Sequence, residues 1–209
     1  MGKHVSSELF YVHDPMCSWC WGFAPVLKQL LENLPADIRV TRLLGGLAVD
    51  SDQPMPVELQ QTIEATWHHI QKHIPGTQFN FYFWTRCAPR RSTWPACRAV
   101  IAARMQGDEF DVRMTRVIQL AYYTRARNPS DDSTLIELAG KLGLDSQVFS
   151  EALESNEVQQ QLLAEIDWSR KLKVSAFPSL VLKTGTSVWP IAVDYNDCTS
   201  MLEMIDGLR

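Results

Sequence analysis

Cys17 and Cys20 stand three residues apart in DPMCSWCWGFAP (14–25). Two thiols at that spacing can hold part of a metal tetrahedron, form a structural cross-link, or cycle between dithiol and disulfide. Zinc would need two more ligands, best supplied by a second close Cys or His pair. The remaining cysteines, Cys87, Cys97 and Cys198, are scattered, and His69 with His73, four apart, reads better as a solvated helix face than as a metal site. Five cysteines in 209 residues is an odd and sparse set, unlike a disulfide scaffold. A working dithiol is therefore the favoured reading, with no metal expected. Only a thiolate attacks a disulfide, and a free Cys titrates near ~8.5. At the start of a helix Cys17 would face unpaired N–H groups and the positive dipole end, which favour the thiolate, so Cys17 is the expected nucleophile. Cys20, one turn on, is placed to resolve the mixed disulfide. Ser18 and Trp19 are expected to tune the redox poise through a hydroxyl or indole N–H. His13 and Asp14, immediately upstream, are candidates for proton transfer. Far downstream, Phe177-Pro178 opens a strand. An X–Pro bond there suits the cis isomer and leaves the Phe177 backbone free to pair with an extended substrate, against the alternative of an ordinary trans proline at a strand edge.

These residues need elements to position them. ELFYVHD (8–14) mixes apolar, aromatic and β-branched residues and predicts a buried strand. A helix is expected from about Ser18 to Leu34, with Phe23, Val26, Leu27, Leu30, Leu31 and Leu34 on one face and a kink at Pro25. DIRVTRLLGG (37–46) predicts a second strand. From about Pro54 to Lys173 the periodicity is helical. Leu59, Ile63, Trp67, Ile70 and Ile74 form one stripe, STWPACRAVIAARM starts with a Ser/Thr cap, Asn128-Pro129 breaks the helix after it, and Asp145 and Asn156 cap two later helices. SLVLKT and SVWPIAV predict a hairpin about Thr184-Gly185, and Asn196 or Asp197 a cap for a last helix through Leu208.

The order β-α-β, a helical block, then β-β-α is the thioredoxin topology with CxxC opening the first helix. DPMCSWCWGFAP, including Ala24-Pro25, resembles the active-site segment of thioredoxin-fold oxidoreductases. The long helical block and ALESNEVQQQL…KVSAFPSLVL resemble the DsbA family, and Trp19 with no leader resembles its cytoplasmic FrnE-like branch. The resemblance implies an α/β thioredoxin fold with a large all-helical insertion: residues 1–53 and 174–209 forming one discontinuous domain and 54–173 the inserted one. It implies a thiol–disulfide oxidoreductase or isomerase acting on protein or glutathione disulfides, and a cis Pro178 lying against the dithiol. The buried acid that such enzymes carry six residues before the first Cys is here Tyr11. The chain also resembles 2-hydroxychromene-2-carboxylate isomerases and kappa-class glutathione transferases, which implies a glutathione-dependent isomerase or transferase as the alternative. Asp194 and Asn196, at the expected start of the last helix, are then candidate glutathione contacts. Those relatives lack the dithiol, so both cysteines favour redox chemistry. No bound cofactor is expected beyond glutathione as a co-substrate.

Composition narrows the partners. A net charge of −4 argues against nucleic acid. No window approaches the ~18 apolar residues of a membrane span, and MGKHVSSELFYV lacks a signal-peptide core, so a cytoplasmic protein is expected. Arg86, Arg90, Arg91 and Arg98 cluster in RCAPRRSTWPACR as a solvated loop or an anion-binding patch. Phe79, Phe81, Tyr82, Phe83 and Trp84 read equally as a roof over the active site or as core of the insertion. Oligomeric state is left open.

Overall fold

In the computed structural model, which describes residues 7–209, a four-stranded mixed sheet runs in the order β2-β1-β3-β4. Strand β1 (Ser7–His13) is central and almost wholly buried, as its unbroken apolar and aromatic run requires. It pairs in parallel with β2 (Ile38–Leu44) and antiparallel with β3 (Ser179–Thr184), which turns through Gly185 (φ +61°) into the short β4 (Ser187–Ile191). In register, His13 lies opposite Leu44 and Val12 opposite Ser179. The ends of β1 and β2 and the start of β3 therefore meet at one edge of the sheet, where Asp14, Gly45 and Pro178 each stand one residue beyond a strand.

Helix α1 (Ser18–Asn33) and the last helix pack on the face carrying Leu9, Tyr11, Leu180 and Leu182, through Phe23, Val26, Leu27 and Leu30 on one side and Met201 and Ile205 on the other. Phe10, Val12 and Val181 point the opposite way, toward Leu172, Val174 and Phe177. Between β2 and β3 the chain is helical: α2 (Val57–His73), the single turn α3 (Phe83–Arg86), α4 (Trp94–Arg104), α5 (Phe110–Arg125), α6 (Asp132–Lys141), α7 (Ser146–Leu153) and α8 (Asn156–Lys171), followed after β4 by α9 (Thr199–Gly207). The α/β class and the helical insertion are as the sequence predicts.

Several helix ends differ from expectation, each for a local reason. Ser155, not Asn156, caps α8, its hydroxyl accepting from Val158 N at 3.2 Å. Thr93 holds the cap position of α4 but gives its hydroxyl to the Asp14 carboxylate at 2.6 Å, a charge-assisted partner that outcompetes a backbone N–H. Helix α5 stops at Arg125 rather than at Asn128-Pro129, with Ala126 left-handed (φ 51°), because Asn80 captures the Tyr123 and Thr124 carbonyls. The last helix starts only at Thr199, whose N–H and hydroxyl both donate to Asp197 Oδ1. Asp194 and Asn196 consequently lie in the loop before it.

Candidate active site

Cys17 is the N-cap of α1. Its sulfur accepts from Cys20 N and donates to the Phe177 carbonyl, both at 3.3 Å. The Phe177-Pro178 bond is cis. The ring of Phe177 closes over Gly45 so tightly that a Cβ there would fall 2.0 Å from it, which explains a glycine directly after β2. Cys17 borders a cavity of about 190 Å³ lined also by Trp19, Leu47, Met55, Arg91 and Phe177. Cys20 is fully buried behind it. Burial, and then contact with Cys17, push the Cys20 thiol well above its ordinary pKa. The arrangement suits exchange: one thiol at a helix start donating to a main-chain carbonyl, the other held as a protonated reserve.

Ser18 reaches the insertion, its Oγ accepting from the Trp67 indole N–H at 2.9 Å. Trp67 is the hub of the aromatic cluster, with Phe79, Phe81, Phe83, Trp84, Tyr122 and Tyr123 at centroid distances of 4.9 to 5.9 Å. The dense aromatics are thus mainly core, although Tyr82 is exposed. Trp19 is half-exposed, its ring 5.0 Å from Tyr195 and 5.7 Å from His69.

The two upstream polar residues are completely buried. Asp14 Oδ1 accepts from Met16 N at 2.8 Å, while Oδ2 accepts from Leu47 N at 2.8 Å, Thr93 Oγ1 at 2.6 Å and the Cys97 thiol at 3.4 Å. One carboxylate so ties the segment before Cys17 to the loop after β2 and to the start of α4. Burial raises its pKa against the pull of these donors. His13 Nε2 accepts from Arg42 Nη2 at 3.1 Å. Arg42 binds Asp111 at 2.5 Å, and Arg104 bridges Asp111 at 2.5 Å and Glu165 at 2.6 Å. Burial first, then the Arg42 and Arg104 charges, hold His13 well below its ordinary pKa.

This depression has a measurable sign. An unfolded His takes up a proton below about pH 6.5 while the folded one stays neutral, so stability should fall by about 1.4 kcal/mol per pH unit below that point. Unfolding free energies measured from pH 8 to 5 should show the decline in the native protein and a flatter curve in His13→Gln, which keeps an acceptor for Arg42. Parallel curves would contradict a buried neutral His13.

The other candidates separate. Asp194 Oδ1 accepts from Asn196 N at 2.8 Å and Asp197 N at 3.2 Å within its own loop, and Asn196 lines a different cavity, with Trp21, Gly22 and Gln78. Their neighbour Tyr195, overlooked in the sequence, faces Trp19 and Phe23. Of the arginines, Arg98 binds Asp50 with two bonds and Arg86 lies over Tyr82, whereas Arg90, which binds Asp131, and Arg91 both border the Cys17 cavity. All five cysteines are free. Cys87 donates to the Ala126 carbonyl at 3.1 Å. Trp67, Thr93 and Cys97 touch the active-site segment from 49 to 83 residues away, a link that no local spacing announces.

No helix among the described residues is long and apolar enough to cross a membrane. The chain is similar over nearly its whole length to known proteins. A candidate protein disulfide isomerase of Nitrosomonas europaea superposes with a TM-score of 0.84 at 29% identity, covering 97% of each chain. The cytosolic disulfide reductase DsbM of Pseudomonas aeruginosa, solved alone and with GSH, superposes at 0.74 and 0.73 with 22% identity and 96% coverage of both chains. A curated relative, the ClpXP adapter protein SpxH of Halalkalibacterium halodurans, is 23% identical over 183 residues, 86% of this chain but 59% of its own length. The thioredoxin family model matches residues 10–201. The chain belongs to the thioredoxin family and has the fold of its DsbA-type members, with the helical insertion between the second and third strands.

Proposed function

We propose that this protein is a thiol–disulfide oxidoreductase in which Cys17 attacks a disulfide and Cys20 resolves the mixed disulfide. The observation that carries the reading is the position of the Cys17 sulfur, 3.3 Å from both Cys20 N and the Phe177 carbonyl at the border of a cavity. A helix N-terminus beside that sulfur stabilises the attacking thiolate and also the thiolate that leaves when Cys20 closes the ring. The Phe177 carbonyl, once released from the thiol, is available to an extended substrate segment. The substrate is a protein disulfide or a glutathione disulfide. Arg91 on the cavity border supports an anionic group such as a glutathione carboxylate, and the GSH bound by the Pseudomonas protein is consistent with this. Resemblance to that cytosolic enzyme supports work in the cytosol.

The test is direct. Cys17→Ala should bring insulin reduction down to background, and Cys20→Ala should accumulate a mixed disulfide visible by non-reducing electrophoresis and mass spectrometry, whose second partner names the substrate. Full reductase activity in Cys17→Ala would falsify the mechanism. A glutathione-dependent isomerase would instead keep its turnover when both thiols become Ser. The SpxH relatives raise a second reading, a protease adapter, in which partner capture would persist unchanged without either thiol.

A further inference from the structure

Helix α5 turns a mixed face toward α1. Val112, Thr115, Arg116 and Gln119 stand at i, i+3, i+4 and i+7 and so share one stripe of the helix. With Ala24, Leu27 and Leu31 of α1 they line a cavity of about 670 Å³, separate from the one at Cys17. That volume lies within the range of small-molecule sites, about 300–1,000 Å³. The Thr115 hydroxyl is buried without a hydrogen-bond partner, in a residue only 5% exposed. An unmet buried hydroxyl destabilises a fold, and an acceptor on a bound molecule would remove that cost. Arg116, the next residue, is exposed, holds its guanidinium 4.7 Å from the Trp21 ring centre, and forms no ion pair among the described residues. The other cations of the wall are taken, Arg42 by Asp111 at 2.5 Å and Lys28 by Glu32 at 3.7 Å. The cavity therefore offers one uncommitted positive charge, an unpartnered hydroxyl next to it and the Gln119 amide one turn on. The remainder is apolar, including Val112, which is 55% exposed.

We propose that this α1–α5 cavity is a binding site for a small monocarboxylate with an apolar body. One guanidinium matches one carboxylate through two parallel bonds, whereas a phosphate dianion would call for a second free cation. The carboxylate pairs with Arg116 and accepts from the Thr115 hydroxyl, and the body covers Leu27, Leu31 and Val112. Cys20 belongs to the same wall, so the site adjoins the dithiol without using the cavity at Cys17.

Octanoate is the probe, titrated by calorimetry into the full chain, with 1-octanol as a neutral control of the same length. Octanoate should bind one to one, and octanol about tenfold more weakly, the scale of a hydrogen-bonded charge contact. Arg116→Gln, a change at an exposed residue, should weaken octanoate about tenfold for the same reason. Thr115→Val keeps the shape of the side chain and deletes the hydroxyl. It should weaken octanoate about threefold yet leave the protein at least as resistant to urea as the native chain, because no bond of the free protein is lost. Carbon-13 methyl spectra locate the probe, with Leu27, Leu31 and Val112 expected to shift. Shifts confined to Ile74 and Leu120 would move it to the neighbouring cavity that Arg116 also borders, and overturn the assignment. Absence of octanoate binding, equal binding of octanoate and octanol, or native affinity in either variant would overturn it as well.

Discussion

Replacing Trp67 by alanine should destabilise the protein by about 3–5 kcal/mol and disturb the dithiol at the same time, the first figure being typical for truncating a buried aromatic. Trp67 has no exposed surface and touches six rings, so the cavity left behind would be bounded by rigid groups that cannot collapse into it. Its indole N–H is also the donor to Ser18 Oγ, in the residue directly after Cys17. Trp67→Phe separates the two effects. It keeps most of the volume and removes one hydrogen bond worth about 1 kcal/mol. Urea unfolding should therefore rank alanine well below phenylalanine, while the rate of Cys17 alkylation should change in both. If Trp67→Phe alkylates at the native rate, the Ser18 contact is structural alone.

Glu165→Ala is expected to be as severe, at about 3–5 kcal/mol, because it breaks a buried ion network by removing one partner. Glu165 is 4% exposed, accepts from Leu44 N at 2.8 Å and from Arg104 Nη1 at 2.6 Å. In the native network two arginines, Arg42 and Arg104, face two carboxylates, Asp111 and Glu165, with His13 neutral. Without Glu165 the enclosed charge is +1 and the last N–H of β2 has no partner, one residue before the Gly45 on which Phe177 rests. Glu165→Gln keeps the acceptor and loses only the charge, so it should fall between the two in chemical denaturation. Equal stability of all three proteins would show that the network is solvated enough to be dispensable.

Of the features that place the dithiol, some are written in short stretches of sequence. A strand buried on both faces must be an apolar run, so ELFYVHD marked β1; a helix with one buried stripe must repeat near 3.6 residues, so 18–34 marked α1. CxxC after that strand and Phe-Pro before a later one were enough to anticipate both halves of the active-site edge, because each is a local pattern whose partner is set by topology. Helix ends were less legible. Ser155 and Asn156 are both good caps, and only the final backbone path decides which side chain meets an N–H. Thr93 had the right chemistry for a cap, yet a buried carboxylate 79 residues away took its hydroxyl.

What the sequence by itself determined is thus the order of the main strands and helices and the place of Cys17 and Cys20 at the start of α1, since these follow from periodicity and short spacing. Only the tertiary structure decided that Trp67 holds Ser18, that Asp14 gathers four donors from three segments, that His13 sits in an arginine–carboxylate network, and that Asp194 turns its carboxylate into its own loop. The physical reason is the same in each case. A hydrogen bond or charge contact is selected by which groups are left without water when the core closes, and that depends on residues brought together from far along the chain. Tyr11 shows the division most plainly: the sequence marks it as a buried aromatic in a strand, and only the tertiary packing stacks its ring on His13 and places it with Cys20 on the wall of a second cavity between α1 and α5.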